Sequence, residues 1–128
     1  SLGASDVKIV LIADDEPNLR RLVNATIKSD QYEVVEATDG DEAWQMLQEH
    51  HPDVALQDIQ MPGRTGLDLA RLIKAAPDMA GTHVILLTSQ AREVDIHAGL
   101  AAGADRYLTK PFSPLELLTI VEQALGLS

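Results

Sequence analysis

The chain has 128 residues and no cysteine, a size that fits one domain able to bury roughly two-thirds of its unfolded surface without disulfides or thiolate metal sites. Only 3% of residues are aromatic, so the core must be aliphatic; no apolar run reaches the ~18 residues of a membrane span, and none reads as a signal peptide. The net charge of −10 argues against this domain gripping nucleic acid, which needs clustered Lys and Arg.

Val7 to Ala13 is an apolar run that reads as a first strand and leads into Asp14-Asp15. Leu19, Leu22, Val23, Thr26 and Ile27 then recur at helical spacing. Tyr32 to Ala37 reads as a second strand, followed by an Asp39/Glu42 cap and a helical stripe of Ala43, Met46, Leu47 and His50. After His51-Pro52-Asp53, Val54 to Leu56 gives a third strand that points at Asp58. Met61-Pro62-Gly63 marks a turn, and Thr65 with Asp68 caps a helix carrying Leu69, Leu72, Ile73 and Ala76. Val84 to Leu87 forms a fourth strand ending in Thr88-Ser89, and an Ala-rich helix is expected from about Arg92 to Ala101. Arg106 to Thr109 gives a fifth strand ending in Lys110. Ser113-Pro114-Leu115-Glu116 is a capping box with proline at the first helical position, and Leu117, Leu118, Val121 and Leu125 line the last helix. The sum is (βα)5, an α/β fold with a doubly wound parallel sheet and helices on both faces. Residues 1–128 are expected to form a single domain, with 1–6 as a tail.

In a parallel sheet all strand C-termini share one rim, where open α/β sheets bind ligands. Asp14, Asp15, Asp58, Thr88 and Lys110 follow strands 1, 3, 4 and 5, so three carboxylates, a hydroxyl and an ammonium should converge there. Two carboxylates about 4 Å apart repel by about 4 kcal/mol at an effective dielectric near 20. One lysine cannot neutralise the set, whereas Mg²⁺ prefers oxygen ligands and leaves positions open for phosphate oxygens. An aspartate beside Mg²⁺ and an ammonium is a competent nucleophile for phosphoryl transfer. Asp58, ending the central strand, is the best candidate.

These residues are arranged as in the response-regulator receiver domain of two-component signalling, which the chain resembles from Lys8 to Leu125. The motifs are Asp14-Asp15-Glu16-Pro17, Asp58-Ile59-Gln60-Met61-Pro62-Gly63, Thr88-Ser89 and Tyr107-Leu108-Thr109-Lys110-Pro111-Phe112. The resemblance implies a flavodoxin-like five-stranded sheet in the order 2-1-3-4-5. It implies that Asp58 accepts a phosphoryl group from the phosphohistidine of a sensor kinase or phosphotransfer protein. Mg²⁺, with Mn²⁺ as an alternative, would be held by Asp15 directly, Asp14 through water, Asp58, and the backbone carbonyl of Gln60. Thr88 and the Ser89 amide would bind the phosphoryl group, Lys110 would pair with it, and the Lys110-Pro111 bond would be cis. Thr88 and Tyr107 would form the switch that alters the face around helix 4, strand 5 and helix 5. Gln60 and Gln90 would tune dephosphorylation. An effector domain or downstream protein, a cytoplasmic location, and no direct contact with nucleic acid or membrane are further expectations; homodimer formation stays open.

Three departures from the family's commonest pattern stand out. Thr65 replaces an Asp before the glycine and Gln57 replaces an aliphatic residue, where its amide needs a hydrogen-bond partner. Gln60 and Gln90 put neutral amides at the tuning positions. Two alternatives remain: a haloacid-dehalogenase-type Mg²⁺-dependent phosphohydrolase, whose Asp-x-Asp motif Asp14-Asp15-Glu16 does not match, and a degenerate receiver acting as a constitutive interaction module. The four histidines lack ligand spacing.

Overall fold

The computed structural model describes residues 7–89 and 93–127. Five strands alternate with five helices: β1 (Lys8–Ala13), α1 (Pro17–Ile27), β2 (Tyr32–Ala37), α2 (Gly40–His50), β3 (Val54–Asp58), α3 (Gly66–Ala75), β4 (His83–Thr88), α4 (Glu93–Ala101), β5 (Arg106–Thr109) and α5 (Pro114–Ala124). All pairings are parallel, in the order β2-β1-β3-β4-β5. The expected fold and strand order therefore hold.

The sheet separates two apolar layers. Leu11, Ala13, Ala55, Val84 and Leu86 face α2 and α3, meeting Leu47, Leu69 and Ile73. Val10, Ile12, Val54, Leu56, Ile85 and Leu87 face the other way, against Val23 and Ile27 of α1 and Leu117 and Val121 of α5. Both faces of β1, β3 and β4 are thus covered, which is why these strands read as continuous apolar runs rather than alternating ones.

Two strands run further than the apolar residues do. β3 continues through Gln57 and Asp58, and β4 through Thr88. Ladder hydrogen bonding uses the backbone, so a polar side chain does not stop pairing while a neighbour continues; Asp58 lies opposite Leu87. A 3₁₀ turn at Pro77–Met79, which the apolar pattern does not signal, links α3 to β4.

The capping residues do what their spacing predicts. Ser113 accepts from the Glu116 amide while Glu116 returns a bond to the Ser113 amide, and Thr65 and Asp68 are paired in the same way. Asp39 accepts from the Glu42 amide. Ser113→Ala should lower the unfolding free energy by about 1 kcal/mol in urea titration; an unchanged midpoint would mean that packing alone fixes the start of α5. That start matters because it lies a few residues after Lys110, which follows the end of β5.

Candidate functional site

The rim at the strand C-termini gathers one ammonium and four carboxylates. Lys110 Nζ, 12% exposed as a side chain, lies 3.1 Å from Asp14 Oδ2, 3.2 Å from Glu16 Oε1 and 3.2 Å from Asp58 Oδ2. An ammonium has three donors, so each carboxylate takes one. Oxygens of Asp14, Asp15, Glu16 and Asp58 all lie within 4.8 Å of one another. The backbone holds this cluster in place: Asp14 Oδ1 accepts the Glu16 amide at 2.8 Å, and Asp58 Oδ1 accepts the Gln60 amide at 3.0 Å. The Lys110 amide in turn donates to the Thr88 carbonyl at 2.7 Å, bringing the ends of β4 and β5 together. The Lys110–Pro111 peptide is cis.

Asp14 is fully buried at 0% exposure. Burial pushes its carboxyl up from the ordinary range; the Glu16 amide opposes this, the Asp58 charge reinforces it, and Lys110 opposes it again, with a net rise. For Lys110, burial alone would lower the pKa. The charges of Asp58 and Asp14 and the hydrogen bonds to Asp14 and Glu16 outweigh it, so the ammonium is held well above its usual value.

This donor set fits a hard divalent cation. It is all oxygen, holds more negative charge than one lysine offsets, and places two buried carboxylates, Asp14 and Asp58, beside two exposed ones, Asp15 and Glu16. The glycine after Thr65 adds a geometric requirement: a Cβ at Gly66 would collide with the Asp58 carbonyl, so only glycine lets α3 begin this close to the phosphoacceptor candidate.

The sequence profile of the response regulator receiver domain matches residues 10–122. The chain belongs to the response regulator receiver family. Response regulator GtcR of Aneurinibacillus migulanus is 38% identical over 118 residues, which are 92% of this chain and 48% of GtcR. The chain spans about half the length of the curated relatives it matches. Among solved structures, the chemotaxis response regulator CheY4 of Vibrio cholerae is 31% identical with a TM-score of 0.86, over 92% of this chain and 98% of that one. The receiver domain of sensor histidine kinase PA1611 from Pseudomonas aeruginosa PAO1, solved with a magnesium ion coordinated in the active site cleft, is 29% identical with a TM-score of 0.84. That match covers 94% of this chain and 98% of the other.

Within this receiver, the structure brings Asp14, Asp15, Asp58 and Lys110 into one cluster and sets Thr88 at the end of the adjacent strand. Gln60 sits two residues beyond Asp58 with its side chain exposed, and Tyr107 is 44% exposed on β5. Gln90 lies outside the described residues. Ser89 is exposed just past β4.

Two participants escaped sequence reasoning. Glu16 looked like one more acidic residue of a motif, yet it is a third carboxylate on Lys110. Arg20 is one turn into α1 and donates from Nη1 to the Asp14 carbonyl at 2.8 Å, while its Nε meets Glu36 at 3.3 Å. Helical side chains lean toward the helix N-terminus, so a long cation early in α1 was the available signal.

Proposed function

We propose that Asp58 of this receiver accepts a phosphoryl group from the phosphohistidine of a sensor kinase or phosphotransfer protein, and that this modification changes what the α4-β5-α5 face binds. The observation that carries the reading is the Asp58 carboxylate at the end of β3, touching Lys110 and within 4.8 Å of the Asp14, Asp15 and Glu16 oxygens. Asp15, Asp14, Asp58 and the Gln60 carbonyl would hold Mg²⁺ (or Mn²⁺), in keeping with the magnesium in the PA1611 receiver. When bound, the cation offsets negative charge on the acidic cluster and on the incoming phosphoryl oxygens.

The residues themselves divide the remaining work. An Asp58 oxygen attacks phosphorus and the histidine N–P bond breaks with its electron pair going to the ring nitrogen; with a proton on the other nitrogen of the phosphohistidine ring, an aspartyl phosphate and a neutral imidazole remain. Lys110 exchanges part of its contact with the carboxylates for a phosphoryl oxygen, while the Thr88 hydroxyl and Ser89 amide bind others. Thr88 and Tyr107 report the change to a face that already exposes Leu100, Tyr107 and Leu115. Gln60 and Gln90 are the side chains proposed to set the lifetime of the phosphoryl group. A domain of this kind promotes only its own phosphorylation and dephosphorylation, and its output falls to an effector domain or downstream protein. A cytoplasmic setting follows from the kinase partner; no helix among the described residues is long and apolar enough to cross a membrane.

Incubation with Mg²⁺ and a small phosphodonor, followed by intact mass measurement, should show one phosphoryl adduct. Asp58→Ala should show none. An adduct that survives in Asp58→Ala places the modification elsewhere, and a parent chain that never gains one leaves the degenerate-receiver reading in possession.

A further inference from the structure

We infer that Arg20 is a positioning residue for the cation site: its guanidinium, braced on Glu36, fixes the peptide between Asp14 and Asp15 and so sets where the Asp15 carboxylate is offered to Mg²⁺. The inference rests on the cation reading above and adds to it a residue of α1 that acts through the backbone.

The two acids of the first strand end are held very differently. Asp14 is buried, its amide donates to the Ala37 carbonyl at 3.1 Å, and its carboxylate meets both the Glu16 amide and Lys110. Asp15 is exposed, and no hydrogen bond or ion pair among the described residues holds its carboxylate. The direction in which Asp15 leaves the chain therefore depends on its backbone, beginning with the peptide that joins it to Asp14. The ladders of β1 end at Ala13, so the Asp14 carbonyl lies beyond them. Its bond comes from a side chain instead: Arg20 Nη1 donates to it at 2.8 Å.

Arg20 is itself aimed. Its amide donates to the Glu16 carbonyl at 3.2 Å, which places it at the first turn of α1. Its side chain is only 15% exposed, and Nε meets Glu36 Oε1 of β2 at 3.3 Å. A guanidinium is a rigid planar fork, so engaging Glu36 with one nitrogen fixes where another points. Glu36 is 45% exposed, and such a pair contributes little to stability; what it supplies is orientation. One side chain thus ties the start of α1 and the edge strand β2 to the peptide that carries Asp15. Charge alone would argue against a cation here, because a guanidinium bonded to the backbone of the acidic pair repels a divalent ion. Geometry explains its presence. Groups that orient the ligands of a metal without touching it typically change affinity 10–100-fold when removed.

The test is a titration of Mg²⁺ into ¹⁵N-labelled protein, with dissociation constants read from the amide shifts around the site and the metal-free melting temperature measured alongside. Arg20→Met keeps the aliphatic stem and removes the fork; Arg20→Lys keeps the charge but cannot hold both acceptors in one plane. Both should bind Mg²⁺ roughly tenfold more weakly than the parent. A guanidinium acting only through its charge predicts the opposite sign, since Arg20→Met would then bind more tightly and Arg20→Lys would match the parent. A merely structural Arg20 would lower the melting temperature and leave the dissociation constant alone. Unchanged or tighter binding by Arg20→Met, or parental binding by Arg20→Lys, overturns the inference. If Arg20→Met does not fold, Arg20→Lys decides alone. A parent that binds no Mg²⁺ overturns the cation reading and this inference together, whereas a parent that binds it no better than the variants do overturns this one alone.

Discussion

Without divalent metal, Lys110→Met should melt roughly 10 °C below the parent, a loss of about 3 kcal/mol. Methionine retains most of the aliphatic stem, so the change isolates the ammonium. That ammonium donates to Asp14, Glu16 and Asp58, and the three contacts are unequal. Glu16 is exposed, and a rim pair of this kind contributes little. Asp14 is fully buried and Asp58 nearly so; removing their shared cation leaves carboxylates desolvated and opposed, a change that typically costs about 3–5 kcal/mol. The lower end of that range applies because the cluster opens to water at Asp15 and Glu16. Adding Mg²⁺ should return part of the lost stability by replacing the missing positive charge. It should not restore phosphoryl uptake, expected to be about a hundredfold slower once a donor to the phosphoryl oxygens is gone. Calorimetry with and without Mg²⁺ checks the first claim, and a time course of adduct formation the second. A Lys110→Met protein melting with the parent would show that the ammonium does not offset these charges.

How much of this was legible beforehand depended on whether a residue acts through its neighbours in sequence or across the fold. β1, β3 and β4 were readable because burial on both faces leaves an unbroken apolar run, and the capping boxes at Thr65 and Ser113 because both partners lie within three residues. The α4 segment carried little amphipathic signal. It is rich in Ala and Gly, and a Cβ at Gly99 would approach Leu86 Cδ1 to 2.7 Å, so small size rather than an apolar stripe lets that helix sit on the sheet. The convergence of Asp14, Asp58 and Lys110 was inferred from the one rule that parallel strands end on one rim. Glu16 and Arg20 resisted the same treatment, since neither ends a strand. Their roles depend on how α1 leaves β1, with Glu16 at its N-terminal boundary lacking a side-chain cap bond and so free to meet Lys110. Gln57 was marked by its polarity as needing a partner. The structure supplies one bond, from its amide nitrogen to the Gly66 carbonyl, and leaves its oxygen without a partner among the described residues.

Asp14→Asn should make the metal-free domain more stable at neutral pH, by about 1–2 kcal/mol, and should remove most of its stabilisation by Mg²⁺. The Asp14 carboxyl is raised above its ordinary value, by burial first and by the Asp58 charge as well. The native state therefore holds a proton that the unfolded chain has released. Stability from this group is fully present below the ordinary carboxylate range and is lost as pH rises through the raised pKa. Between about pH 4 and that point, the parent should lose stability relative to Asp14→Asn, whose neutral amide does not titrate. The net rise of the carboxyl means that desolvation and the Asp58 charge together outweigh the bonds to Lys110 and the Glu16 amide, and at about 1.4 kcal/mol for each pH unit of such a rise the neutral amide should bring the modest gain stated. Saturating Mg²⁺ should reverse the order: at a hundred times its dissociation constant it stabilises the parent by about 2.7 kcal/mol, and the variant, lacking one carboxylate of the set, should gain far less. Urea unfolding of both proteins from pH 4 to 8, with and without Mg²⁺, separates these effects. A metal-free difference that stays flat across that range would show that the Asp14 carboxyl is not raised, and an Asp14→Asn variant that keeps the full Mg²⁺ gain would show that Asp14 takes no part in holding the cation.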